Sequence, residues 1–188
     1  GGVAAGNAAL GQLVPGGGFD ALKTGGVLIK SAVNYRSGEV ADIAGHEREA
    51  KRYGAWIIWD LSHATGVLDL KLRADGAELA AGCTYKYLNG GPGAPSFVYV
   101  SNTLSGKLAN PLPGWMGHAA PFAFDGTYVP RDGALRFASG TPPILSLAAL
   151  SGALEALEGV DLAQLQAKAR ALGGLAIARA AAVGLEVL

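Results

Sequence analysis

The 188-residue sequence is half apolar, which is enough to enclose one hydrophobic core, and its fifteen basic residues balance fifteen acidic ones. With no block of like charge it lacks the basic footprint of a nucleic-acid binder or of a protein drawn to anionic membranes. The single cysteine, Cys83, excludes an intrachain disulfide, and no Cys/His cluster offers metal-ligand spacing.

No apolar run approaches the roughly 20 residues that span a bilayer. The first charged residue is Asp20 and the first basic one Lys23, which argues against a secretory leader. A reducing, cytoplasmic setting is expected.

The opening "GGVAAGNAALGQLVPGGGF" is Gly/Ala-rich without a period, so residues 1–18 read as an irregular N-terminus. "GVLIKSAVN", from Gly26, has the length and β-branched content of a buried strand. "SGEVADIAGHEREAKRYG" follows as a polar helix closed by Gly54, and "AWIIWD" as a second buried strand. "AELAAG" reads as a third strand and "SFVYVS", after a Gly/Pro-rich loop, as a fourth. Strand, helix, strand is the βαβ pattern, so the class is α/β: a mainly parallel sheet flanked by helices.

Residues 105–140 carry Pro, Gly and aromatics without periodicity and read as a long functional loop. "ILSLAALSGALEALEGV" and "DLAQLQAKARALGGLAIARAAAVG" show apolar spacing near 3.6 and read as helices, the second with Asp161 as N-cap.

In an open α/β sheet, ligands bind beyond the carboxyl ends of the strands, and Asp60 ends the most apolar strand. Alone it would as readily be the cap of the turn "LSHATG". A lone His63 would be a satisfied structural residue, and a lone Lys86 in "GCTYKYLNGGPGAP" a solvated surface charge. Together they are the set that a pyridoxal phosphate site requires. A lysine forms a Schiff base, a carboxylate holds the ring nitrogen protonated, and a flat side chain covers the ring. Gly90, Gly91 and Gly93 read as backbone that passes close to a neighbour or takes positive φ.

"WDLSHATG", "GCTYKYLNGGPGAPSFVYV", "GWMGHAAPF" and "FASGTPPILSLAAL", in this order, resemble the kynureninases, fold-type I pyridoxal-phosphate enzymes related to class V aminotransferases. The likeness runs from about Phe19 to about Leu157, and the Tyr-Lys-Tyr-Leu-Asn-Gly-Gly run is its specific part. The resemblance implies that Lys86 carries pyridoxal 5'-phosphate as a Schiff base and that Asp60 partners the pyridine nitrogen. It further implies that His63 lies against the cofactor and the substrate's aromatic group. By the same resemblance, Tyr85 reaches the phosphate and donates or relays a proton, and Ser31 contacts the cofactor. Trp115 and Thr141 would contact the phosphate from the neighbouring subunit of a homodimer with shared active sites. Read from the residues alone, Trp115 is equally a core aromatic, Thr141 an N-cap and Ser31 a plain strand residue.

The implied reaction is hydrolytic Cβ–Cγ cleavage of L-kynurenine or its 3-hydroxy derivative to anthranilate or 3-hydroxyanthranilate and L-alanine, in tryptophan catabolism and NAD biosynthesis. The alternatives are another class V enzyme, such as a cysteine desulfurase, or an inactive fragment. A desulfurase needs a mobile catalytic cysteine, whereas Cys83 ends a strand three residues before the lysine.

The likeness implies an incomplete large domain at 19–160, with 161–188 leading toward a small domain. The family's phosphate-binding threonine, a second ring-stacking aromatic and a carboxylate-binding arginine are not found, and Arg131 and Arg136 lie outside the expected motif. An incomplete domain is expected to expose strand edges and apolar surface.

Overall fold

The structure is a computed structural model that describes residues 25–187, so the expectation for residues 1–18 lies outside the described residues. Four strands form one sheet in chain order: β1 (Gly26–Ser31), β2 (Ala55–Asp60), β3 (Leu79–Cys83) and β4 (Ser96–Val100). β1 pairs in parallel with β2, placing Leu28 opposite Ile57 and Ser31 opposite Asp60. β2 pairs in parallel with β3, and Asp60 faces Ala81. Ser31, Asp60 and Cys83 therefore end their strands at one edge, where the α/β rule places a site.

The last pair, β3 with β4, is antiparallel. A parallel neighbour would need a crossover, usually helical, whereas residues 84–95 hold only turns and bends and bring Ser96 back directly opposite Cys83.

Between β1 and β2 the expected helix forms over Ile43–Arg52 (α1), starting later than the polar run from Ser37 suggests. Residues 33–40 fold back instead: Val33 bridges Val40, Glu39 O accepts from Asn34 N–H, and Asn34 Oδ1 accepts from Arg36 N–H. Asp42 then caps the helix by accepting from Gly45 N–H, and Lys51 and Arg52 meet the negative end of its dipole.

Ile43, Glu47 and Ala50, spaced on one face, are the buried residues of α1. They face a core of Leu28, Ala55, Ile57, Trp59, Leu61 and Ala80. The Trp59 indole N–H, fully buried, donates to Glu47 Oε1 at 2.8 Å, satisfying the two polar groups of that core together.

The other sheet face is open. Val27, Ile29, Trp56 and Val98 stand exposed there, on strands whose class is normally covered on both sides. Two single-turn helices, α2 (Leu72–Asp75) and α3 (Asn102–Ser105), flank the far end of the sheet. Residues 105–140 form no long element but are not loose: 3₁₀ turns at Trp115–Gly117 and Gly133–Phe137 are joined by Met116 N–H to Ser139 O and Arg131 N–H to Gly117 O.

Both C-terminal helices form, α4 at Ile144–Glu155 and α5 at Leu162–Ala182, and Asp161 caps α5 by accepting from Ala163 and Gln164 N–H. Neither helix buries a residue, and Ile144, Leu145, Leu172 and Leu175 face solvent. No helix among the described residues is long and apolar enough to cross a membrane.

Burial pushes the Glu47 carboxyl above its ordinary value, against the opposing effects of the Trp59 hydrogen bond and Lys51, with Glu78 adding to the rise. A raised folded-state pKa means that this contribution to stability is complete below the unfolded value and is lost as pH rises through the folded one. Glu47→Gln, which keeps an acceptor, should flatten that decline, and Glu47→Leu, which strands the indole N–H, should cost about 1–3 kcal/mol. Urea unfolding from pH 4 to 7.5 reads both effects.

Candidate active site

Asp60 sits where β2 leaves the sheet, and both of its carboxylate oxygens are engaged. Oδ1 accepts from Ser62 N–H at 2.9 Å, the turn pattern of an aspartate two residues before its donor. Oδ2 accepts from Ser31 Oγ at 3.1 Å, across the in-register strand pair. Burial alone would raise the Asp60 pKa. Hydrogen bonds from Ser62, through side chain and backbone, and from Ser31, with the charge of His63, outweigh it and hold the carboxyl below the ordinary aspartate value. Asp60 thus caps the turn, as the residue alone suggested, while its second oxygen is held from β1.

The turn that Asp60 opens continues through Ala64 and Thr65 N–H, both donating to Leu61 O, and delivers His63. Lys86 arrives from β3 on a braced loop. Buried Thr84 hydroxyl donates to Pro95 O, Gly90 N–H to Thr84 O at 3.0 Å, and Asn89 N–H to Lys86 O at 3.0 Å. Gly91 and Gly93 take positive φ, and a side chain on Gly90 would press on Ala94 and Thr84, matching both readings of these glycines. The half-buried Lys86 Nζ lies 3.0 Å from His63 Nε2 and 5.4 Å from the centre of the Tyr85 ring.

Ser31, Asp60, His63, Tyr85 and Lys86 are thus brought together from three strand ends. Tyr85 is itself exposed. No hydrogen bond or ring contact joins Trp115 or Thr141 to this group among the described residues. The exposed Trp115 ring stands edge-on to Phe122, so it is no core aromatic, and the cap position of α4 is Pro143, so Thr141 is no N-cap. Arg136 is committed to the carbonyls of Arg131 and Leu108.

Ser62 belongs to the candidate site, although the motifs did not single it out. Its amide holds Asp60, while its carbonyl lies 3.8 Å from the Cys83 Sγ donor. The Asp-x-Ser spacing was the available clue.

Ser31→Ala should raise the Asp60 pKa, read by carbon-13 NMR of the carboxyl. Since the folded value is depressed, the stabilisation from this contact is present above the unfolded pKa and disappears as pH falls through the folded one, so the variant should lose stability near neutrality but not in strong acid. Gly66 has φ +89°, and a Cβ there would lie 2.9 Å from Leu88 Cδ2 and 3.0 Å from Tyr87 backbone. Gly66→Ala should cost about 1–3 kcal/mol in thermal unfolding and displace the Lys86 loop.

Residues 22–185 match the aminotransferase class-V family. Among individual proteins, the kynureninase of Deinococcus radiodurans is 44% identical over 147 residues, covering 78% of this chain and 36% of that protein. The kynureninase of Pseudomonas fluorescens is 42% identical over 151 residues, covering 80% and 36%. The chain therefore spans about a third of the length of these curated relatives. A cysteine desulfurase from Escherichia coli superposes with a TM-score of 0.65 at 21% identity, covering 82% of this chain and 38% of that one. An alanine–glyoxylate aminotransferase from Nostoc sp. gives 0.62 at 21% identity, covering 86% and 42%, and at such identity these two speak for the fold alone. With the match spanning nearly all of its residues, the chain belongs to the aminotransferase class-V family.

Proposed function

We propose that the chain carries the lysine-bearing site of a kynureninase, a pyridoxal-phosphate-dependent hydrolase of L-kynurenine or 3-hydroxykynurenine that yields anthranilate or 3-hydroxyanthranilate and L-alanine. The observation that supports this most is the gathering of Lys86, His63 and Asp60 at the carboxyl ends of adjacent strands, in a chain 44% identical to a kynureninase.

The donor set fits pyridoxal phosphate: an amine for its aldehyde, a carboxylate held ionised by two protein donors for a protonated ring nitrogen, and an imidazole for its face. In this reading Lys86 binds the cofactor covalently, Asp60 holds the ring nitrogen, Ser31 and His63 contact the ring, and Tyr85 reaches the phosphate. Trp115 and Thr141 serve the site of the second subunit of a homodimer. When bound, the cofactor supplies an electron sink for charge developing on the substrate carbons.

The chain's own residues manage protons and orientation. Lys86 Nζ takes the substrate α-proton and returns it, and Tyr85 Oη delivers a proton to the carbon that becomes the alanine methyl group. Asp60, kept ionised, sustains the positive charge on the ring nitrogen, and Ser31 and Ser62 serve that end by holding Asp60. The His63 ring flanks the substrate's aromatic group. The braced 84–95 loop fixes the amine, so that little motion is needed before reaction.

Residues 19–160 belong to the large cofactor-binding domain and 161–188 lead toward a small domain, in a cytoplasmic enzyme. A desulfurase reading is less favoured because Cys83 is held at a strand end with its thiol against Ser62 O rather than on a free loop.

With added pyridoxal phosphate, a visible absorbance band should appear, become covalently fixed by borohydride, and be absent in Lys86→Ala. Kynurenine should then release anthranilate, followed by its fluorescence, with Lys86→Ala at background. A purified chain with no Lys86-dependent band would overturn the reading.

A further inference from the structure

We infer that His63 is the proton acceptor that converts the Lys86 ammonium into a nucleophile, so that this histidine governs how fast the chain captures a carbonyl compound as well as what lies against it. The inference rests on the proposed function in taking the captured group to be an aromatic aldehyde such as pyridoxal phosphate.

An alkylammonium has no lone pair to attack with, and free lysine is almost wholly protonated at neutral pH. A group within hydrogen-bond reach must take its proton. Around Lys86 Nζ the choices are few. His63 Nε2 lies 3.0 Å away. Tyr85 presents its ring, 5.4 Å to the centroid. The two carboxylate oxygens of Asp60 already accept from Ser31 and Ser62, and the salt bridges among the described residues, Arg52 with Glu49 and Lys71 with Asp69, do not involve Lys86.

With the ammonium as donor, Nε2 must accept, so the imidazole proton sits on Nδ1. Asp60 completes the arrangement. The charge of His63 is one of the influences that hold the Asp60 carboxyl low, so the two groups lie close enough to interact.

The step balances without any further reagent. An Nζ–H bond breaks and its proton goes to His63 Nε2, and the freed lone pair bonds to the aldehyde carbon. The former carbonyl oxygen becomes a hydroxyl, using a second proton from Nζ, and it leaves as water when His63 returns the proton it took. The new carbon–nitrogen double bond retains the last Nζ proton, and His63 ends neutral. No electrons are gained or lost.

The test is stopped-flow absorbance of pyridoxal phosphate capture by the full chain. Wild type is compared with His63→Phe, which keeps a flat ring without a nitrogen, and with His63→Ala with and without free imidazole. His63→Phe should approach a similar final amplitude with a rate constant lower by about 10²-fold, the low end for positioned proton transfer, and imidazole should speed His63→Ala. Nitrogen-15 NMR of wild type should find the His63 proton on Nδ1, a readout that holds even if a variant fails to fold.

A His63→Phe rate within about twofold of wild type, or a His63 proton on Nε2, would overturn the inference while leaving Lys86 as the capturing amine. Wild type that forms no Lys86 adduct would overturn both this inference and the cofactor reading.

Discussion

Period-two alternation along β2 sends Trp59 and Asp60 to opposite faces of the sheet, and most of the candidate site follows from that constraint. Trp59 is pinned inward by complete burial and by its hydrogen bond to Glu47 on α1. Asp60 must then project from the other face, and the in-register pairing with β1 sets Ser31 beside it. A slip of one residue would turn the carboxylate into the core and the indole out of it, so the core chemistry and the site chemistry enforce a single register.

Around that carboxylate the charges are ordered by backbone as much as by side chains. Ser62, through side chain and backbone, the Ser31 hydroxyl and the charge of His63 together outweigh the cost of partial burial, which leaves a negative centre at the strand ends. His63 stands between that centre and the Lys86 amine, one turn beyond the first and one hydrogen bond from the second. A base of this kind is positioned by a turn and a loop whose own hydrogen bonds are closed, and a site so built does not have to order itself anew for each encounter.

Much of this was legible in the sequence, for local reasons. "AWIIWD" is a strand because its apolar run is too short for a helix and carries two β-branched isoleucines, and Asp161 caps α5 because an aspartate before an apolar-periodic run has few better uses. The start of α1 was less legible: Asn34 and Gly38 form a turn stabilised by the Val33–Val40 bridge, a pairing across seven residues that competes with helix.

Nor does composition tell that β4 runs against β3, which depends on whether residues 84–95 cross over or turn back. The grouping of Asp60, His63 and Lys86 was readable from motif order, whereas the Ser31–Asp60 bond required the strand register. Helical spacing in α4 and α5 gave their existence but not the exposure of their leucines, because periodicity says which residues share a face and not what lies opposite.

The loop between β3 and β4 is clamped at both ends. Cys83 pairs with Ser96 in the antiparallel ladder, and Thr84 reaches across to Pro95 just inside it. Its span is therefore set by the width of one strand pair, and its residue number is a gauge of where Lys86 stands above the sheet. Insertion or deletion of a single residue between the clamps would either unzip the ladder or lift the amine away from His63. In this chain, then, a change of length in this segment is a more severe change than most substitutions within it, because it moves the amine and the ladder together.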